Sequence, residues 1–312
     1  MNDLVSVIIP IYNSSKYLSE LLDSVIAQDY VNLEILCIDD GSQDTSLEIL
    51  KQYAAIDDRI RIVEKRNTGV SDTRNIGIES STGSYIYFCD SDDILEQTLI
   101  SKLHTAIIGH DLSCVDFLKY EGQFTFSDEN VIVDTDAFCK LVLGDNGYLW
   151  NKLFIANVIK NNGIRFCQDI VICEDQVFVI EYLKYVHSVQ INKSQLYFYR
   201  FNENSALGSK IITDKKLTVC LAADKIVNLV QDGNYSQECL DLALRRKVVT
   251  LSYCLKDLLL KQSNKQIRSM WLGYIAGSYR ETRKYKVSLD KNCSIKLRIY
   301  YAALKVLGAI LK

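Results

Sequence analysis

Short runs rich in β-branched residues alternate with segments of helical periodicity along the first third of this chain, and each run ends in polar residues. Val5 to Ile9 reads as a fully buried strand, closed by Pro10, the single proline, and opening into Ile11, Tyr12 and Asn13. Lys16 to Gln28 then places Leu18, Leu21, Leu22, Val25 and Ile26 on one helical face, with Ser14 or Ser15 available as a cap. The unit repeats. Leu33 to Ile38 is apolar and ends in Asp39, Asp40 and Gly41, Thr45 to Tyr53 is helical, and Ile60 to Val63 supplies a third strand. A helix over 73–80 precedes Thr82 and Gly83, and Tyr85 to Cys89 is a further strand ending in Asp90, Ser91, Asp92 and Asp93. This spacing predicts an α/β fold around an open, mainly parallel sheet with right-handed crossovers. The polar clusters then lie at the carboxyl ends of strands, where such a sheet binds its ligand.

Beyond residue 110 the alternation is less regular. Ile170 to Ile172, Val186 to Ile191 and Leu196 to Arg200 read as strands around a helix from Asp175 to Tyr185, so the sheet is expected to reach about residue 205. From Asp214 onward, apolar residues recur at three- and four-residue intervals in 217–230, 240–260, 267–279 and 295–311. The expected organisation is an α/β domain over 1–210 followed by a helical region over 211–312.

The net charge of -3, from 36 basic and 39 acidic residues, gives no pull toward nucleic acid. Ten cysteines, with no C-x-x-C pair and no histidines at zinc spacing, read as reduced core thiols. The start of the chain lacks the pattern of a secretory signal, and no long window is free of charge. The expectation is therefore a cytoplasmic protein without a spanning helix. Residues 280–312 hold nine Lys or Arg against Glu281 and Asp290, and Ile295 to Leu311 forms a broad amphipathic helix. Two readings fit it: a helix lying on the anionic inner face of the plasma membrane, or one packed on the α/β domain or on a second copy in a homodimer.

Three acidic groups stand out: Asp39 with Asp40, Asp90 with Asp92 and Asp93, and Glu174 with Asp175. Carboxylates gathered at one sheet edge repel one another unless a cation or hydrogen-bond donors join them. Asp90 and Asp92, one residue apart in a turn, suit a hard cation such as Mg²⁺ or Mn²⁺ that keeps positions open for diphosphate oxygens. An isolated Asp-x-Asp more often caps a helix, here one starting near Ile94. The acidic pair on a neighbouring strand, with Asn67, Thr68, Gly69, Ser71, Asp72, Arg74 and Asn75 between them, shifts the balance toward a site.

In this order, the segments Val5 to Asn13, Ile38 to Ser42, Asn67 to Asn75, Gly83 to Asp93 and Glu174 to Phe178 resemble the motifs of family 2 glycosyltransferases. The resemblance covers residues 4 to about 205. It includes Trp150 to Phe154, which is similar to a segment of bacterial capsule, exopolysaccharide and lipopolysaccharide members. It implies a GT-A fold, an inverting mechanism, a nucleoside-diphosphate sugar donor, most often a UDP-sugar, and a glycan or lipid-linked saccharide acceptor.

By the same resemblance Pro10, Tyr12 and one of Asp39 or Asp40 hold the base, with Asp40 the better match. Arg74 binds the nucleotide, Asp90 faces ribose or metal, Asp92 binds the metal ion, Mn²⁺ or Mg²⁺, and Asn13 and Ser91 complete the donor set. Asp175 is the implied catalytic base, on a helix start that is rigid and partly desolvated; an acid there also suits the helix dipole alone. Trp150, Asn151 and Glu174 are candidate acceptor contacts. A sugar-phosphate nucleotidyltransferase would open with a glycine-rich basic loop after its first strand, and Ile11 to Lys16 holds no glycine. A binding domain without catalysis fits less well because Asp90, Asp92 and Asp175 are all present.

Overall fold

A computed structural model describes residues 3–119, 125–144, 146–200, 213–260, 262, 264–285, 287 and 295–310. The chain separates into two units, Met1–Phe138 with Tyr148–Gln168 and Glu181–Asn202, and Cys139–Gly147 with Asp169–Ile180 and Glu203–Lys312. The first half follows the alternation expected: β1 (Val5–Ile11), α1 (Leu18–Ile26), β2 (Leu33–Asp39), α2 (Ser46–Ala54), β3 (Ile60–Glu64), α3 (Val70–Ser80) and β4 (Tyr85–Phe88). There follow β5 (Ile94–Leu95), α4 (Leu99–Ile107), β6 (Leu112–Lys119), β7 (Asn130–Asp134), α5 (Thr135–Gly144), β8 (Lys152–Ile155), α6 (Ala156–Asn161), α7 (Glu174–Leu183) and β9 (Ser188–Tyr199). The helical end comprises α8 (Asp214–Leu217), α9 (Val219–Asp232), α10 (Gln237–Leu260), α11 (Lys265–Thr282) and α12 (Ile295–Ile310).

The sheet runs β3-β2-β1-β4-β8-β6-β9-β5, with β7 also on β9. Its first four strands are parallel, and beyond β4 it becomes mixed: β8 is antiparallel to β4 and β6, while β9 is parallel to β6. Every residue of β1 and β2 is buried, as suits strands covered on both faces. Val5, Val7 and Ile9 pack with Leu18, Leu21, Leu22 and Val25 of α1. Pro10 has a specific consequence. Ile8 O accepts Cys89 N, so the even positions of β1 turn their peptide groups toward β4, and Pro10 on that edge has no N–H to give. Pairing with β4 ends at Ile8↔Phe88, while pairing with β2 continues to Ile11↔Asp39. The sheet therefore opens between β1 and β4 at its carboxyl edge.

At the opposite edge a buried carboxylate pins the strands. Glu34 of β2 accepts Ser6 Oγ of β1 at 2.5 Å and Gly83 N at 3.0 Å, and Gly83 N also donates to Ser6 Oγ at 2.9 Å. Burial pushes the Glu34 carboxyl up, but the donors Ser6, Thr82 and Gly83 outweigh it and hold the group below its ordinary value.

Three expectations change. Ile94 and Leu95 pair antiparallel with Phe198 and Tyr197 of β9, so no helix starts near Ile94. The helix begins at Leu99, after Glu96 has taken the Thr98 N–H and hydroxyl. Residues 170–172 form no strand; Val171 N donates to Thr218 Oγ1 at 3.0 Å, a side-chain partner in place of a ladder. The two strands expected over 186–200 are one, β9, whose register against β6 jumps from Val115↔Asn192 to Asp116↔Gln195.

In the helical unit Leu217, Val248, Leu251, Leu255, Trp271, Ile275, Tyr279, Tyr301 and Leu304 form a core. Within it the buried Lys247 pairs with Asp224 at 2.7 Å, and Asp224 also accepts Ser278 Oγ at 2.6 Å. Among the described residues no helix is long and apolar enough to cross a membrane. The described cysteines are free thiols, and Cys293 lies outside the described residues.

Candidate functional site

The loops after β1, β2 and β4 interlock at the carboxyl edge of the sheet. Asn13, with φ 50, donates its N–H to Ser42 Oγ at 3.0 Å and accepts Gln43 N at 2.8 Å. Ser14 N donates to Ser46 Oγ at 2.9 Å, and Ser15 N to Asp44 at 3.0 Å. The Ser14 and Ser91 hydroxyls lie 2.6 Å apart, which joins the first loop to the aspartate-rich turn. Burial raises the Asp44 carboxyl, yet the Ser46 and Ser15 donors bring it down to about 2. Tyr12, at the rim, leaves 47% of its surface open.

Asp39 and Asp40 are both buried but do different things. Asp39 accepts Ser42 N at 3.2 Å and closes its own turn. Asp40 binds the next loop: it accepts Thr68 N at 2.8 Å, Gly69 N at 2.9 Å and the Lys65 ammonium. Lys65 also reaches Thr73 Oγ1 and Asp72, each at 3.3 Å. Gly69 begins α3 at φ 96, ψ 165, a backbone open to glycine alone. Asp40, expected to meet the base, is thus also the anchor of residues 65–69.

Arg74, on α3 and 5% exposed, donates to Asp90 Oδ1 at 3.0 Å and lies over the Phe166 ring at 5.4 Å. Asn75 fixes Phe166 through both backbone groups, at 2.9 and 2.8 Å. Asp93 is fully buried and accepts Tyr197 OH at 2.6 Å and Arg200 N at 2.8 Å. Burial, then the charges of Asp90 and Asp92, push its carboxyl well above the ordinary range despite those donors. Arg200 continues around the turn, donating to Asp92 O at 2.9 Å and to Glu20 at 2.5 Å.

Among the described residues no three His, Cys, Asp or Glu side chains gather as a metal cage. The chemistry still fits a hard divalent cation, since Mg²⁺ is typically held by one or two carboxylates and completed by substrate phosphates and water. Asp90 and Asp92 have that composition, and their charges reach Asp93 together.

Glu174 and Asp175 open α7 in the second unit. The residue before them, Cys173, has φ 66, and among the described residues only Asn13 and Cys173 are non-glycine positions with positive φ. Asn13 ends one motif singled out from sequence and Cys173 directly precedes another, positions of the kind where backbone strain is commonly stored. Cys173 O accepts Val177 N, which starts the helix, and burial pushes its thiol up to about 12. Trp150 is 2% exposed and stacks on Tyr197 at 4.3 Å and on Tyr148 at 4.8 Å. Asn151, 1% exposed, donates to Val115 O at 2.9 Å. Burial places both in the packing rather than on an accessible face.

Residues 6–155 match the model of glycosyl transferase family 2. The chain carries a family 2 glycosyltransferase domain. The matched segment contains every strand-end loop described above, whereas Asp175, Tyr197 and Arg200 lie beyond it. The chain is 30% identical to the glycosyltransferase GlyA of Streptococcus pneumoniae, across 81% of this chain and 38% of that protein. It is also 30% identical to the uncharacterized glycosyltransferase EpsJ of Bacillus subtilis, across 66% of this chain and 63% of that protein. It therefore spans less than two thirds of either relative. In fold it is similar to S. aureus TarS 1-349, solved in complex with UDP-GlcNAc: TM-score 0.74, 19% identity, 97% of this chain and 88% of that one. Two residues around the site escaped the sequence reading in these roles: Lys65 and Tyr197. Lys65 directly follows β3, so its place at a strand end was a usable signal; the tie of Tyr197 to the aspartate turn depends on β9 reaching it.

Proposed function

We propose that this chain is an inverting glycosyltransferase that moves a sugar from a nucleoside-diphosphate sugar, a UDP-sugar, to a glycan or lipid-linked saccharide in cell-surface polysaccharide synthesis. The observation that carries the proposal is the Arg74–Asp90 pair beside Asp92, held over the opening between β1 and β4 in a family 2 domain. The UDP-GlcNAc complex of TarS, a protein of the same fold, supports the choice of nucleotide.

In this reading Pro10, Tyr12, Asn13, Asp39 and Asp40 frame the base, and Arg74, Asp90 and Ser91 frame the ribose and diphosphate. Asp92, with Asp90, would hold Mn²⁺ or Mg²⁺, which supplies charge neutralisation to the departing diphosphate. Asp175 takes the proton of an acceptor hydroxyl as its oxygen forms the bond to the anomeric carbon. The bond to the diphosphate oxygen breaks with its electron pair, and the single displacement inverts the centre. Glu174 is assigned to the acceptor side.

Calorimetric titration with UDP, GDP and the other nucleoside diphosphates, with Mn²⁺ and with chelator, tests the reading. The expected result is metal-dependent binding of UDP. Failure to bind any of them under both conditions would overturn it.

A further inference from the structure

The last helix has two faces of opposite character. Tyr301 and Leu304 of α12 belong to the core of the helical unit, and Tyr279 of α11 meets Tyr301 edge-on with centroids 6.2 Å apart. A Cβ on Gly308 would lie 2.8 Å from Tyr279 Cδ1, so α12 approaches α11 too closely there for any side chain. These residues define the inward side. At 3.6 residues per turn, Ile299, Val306 and Ile310 project from the opposite side, and they are 60%, 57% and 69% exposed. Aliphatic groups this open, at i, i+7 and i+11, form a stripe rather than scattered contacts. Arg298 and Lys305, both exposed, line one flank, and no acidic residue occurs in the helix.

We propose that this face docks α12 flat on an anionic lipid bilayer, with Ile299, Val306 and Ile310 entering the acyl boundary and Arg298 and Lys305 meeting lipid phosphates. Charge complementarity selects this occupant. Residues 280–312 carry nine Lys or Arg against two acids in a chain whose net charge is -3, so the basic groups are concentrated here. A second copy on a two-fold axis would set the same cations against one another, with no carboxylate on the helix to compensate. A bilayer offers an apolar phase and a negative surface together. The proposal concerns the helical unit and does not depend on the transfer reaction.

The test is flotation of the 312-residue chain with vesicles of equal parts phosphatidylglycerol and phosphatidylcholine, against phosphatidylcholine alone. The wild type is expected to float with the anionic vesicles and to be released by added salt. Removing the two charges with Arg298→Gln and Lys305→Gln lowers affinity by on the order of twentyfold, about fivefold per charge. The combination Ile299→Ser, Val306→Ser and Ile310→Ser abolishes flotation, with the circular-dichroism melt unchanged because these side chains lie outside the core. Absence of flotation by the wild type, or wild-type flotation by either variant, overturns the proposal. So does a dimer in light scattering that the serine variant converts to monomer.

Discussion

Replacing Lys65 with methionine keeps the length of the side chain and deletes a cation that touches both Asp40 and Asp72. The Lys65 and Asp40 side chains are only 11% and 5% exposed. Removing one partner of a pair this buried costs about 3–5 kcal/mol, because the remaining charge has lost its solvent and its counter-ion. Asp40 retains the backbone N–H groups of Thr68 and Gly69. Those charge-assisted bonds place the expected loss at the lower end, about 3 kcal/mol. The chain has two tryptophans, Trp150 in the first unit and Trp271 in the second, so urea unfolding followed by fluorescence in a Trp271→Phe background isolates the relevant transition. A double-mutant cycle with Asp40→Asn then separates the pair from the rest of the cluster. A loss below about 1 kcal/mol, the worth of an exposed ion pair, would show that the backbone donors alone satisfy Asp40 and would refute the reasoning.

Gly77→Ala puts a Cβ 2.3 Å from Ile8 Cγ2, where α3 crosses β1. The overlap costs about 1–3 kcal/mol against a helix-propensity gain of about 0.5–1, so a net destabilisation is expected in a thermal melt, eased by Ile8→Leu, which lacks that methyl. Asp44, brought down to about 2, stabilises the fold fully above its unfolded value of about 3.9, and that contribution disappears as pH falls through about 2. Melts of wild type and Asp44→Ala should therefore differ by a constant amount above about pH 4 and converge near pH 2. Asp92→Asn is expected to abolish Mn²⁺-dependent UDP binding by calorimetry while the melt stays unchanged. Asp175→Asn should bind UDP like the wild type and lose transfer in a radiolabelled-sugar assay; retained turnover removes it from the base role.

The early strands were legible because they are short, apolar, and punctuated by Pro10, Gly41 and Gly83, signals that need no distant partner. Ile94 misled because Asp92 and Asp93 look like caps when read locally, while Asp93 is in fact held by Tyr197 and Arg200 from β9. Residues 170–172 misled for the same reason: an apolar triplet has strand character, but its backbone is met by Thr218. Segments 139–147 and 169–180 join the helical unit, and no periodicity within them announces it. In the site, residue types at strand ends were readable, whereas the cross-loop ties of Lys65 to Asp40 and of Ser14 to Ser91 exist only once the sheet order has brought those loops together.

The bonds from Tyr197 and Arg200 to Asp93 span 104 and 107 residues. A chain leaving the ribosome can pair β1 through β4 early, but the buried Asp93 carboxyl lacks the full pair of donors until Arg200 has emerged. Until then β5 also lacks its partner strand. A fragment ending at residue 155, the limit of the family match, would be expected to expose this unsatisfied turn and to engage chaperones or precipitate. The segment that identifies the family is thus shorter than the segment that can complete its site during synthesis.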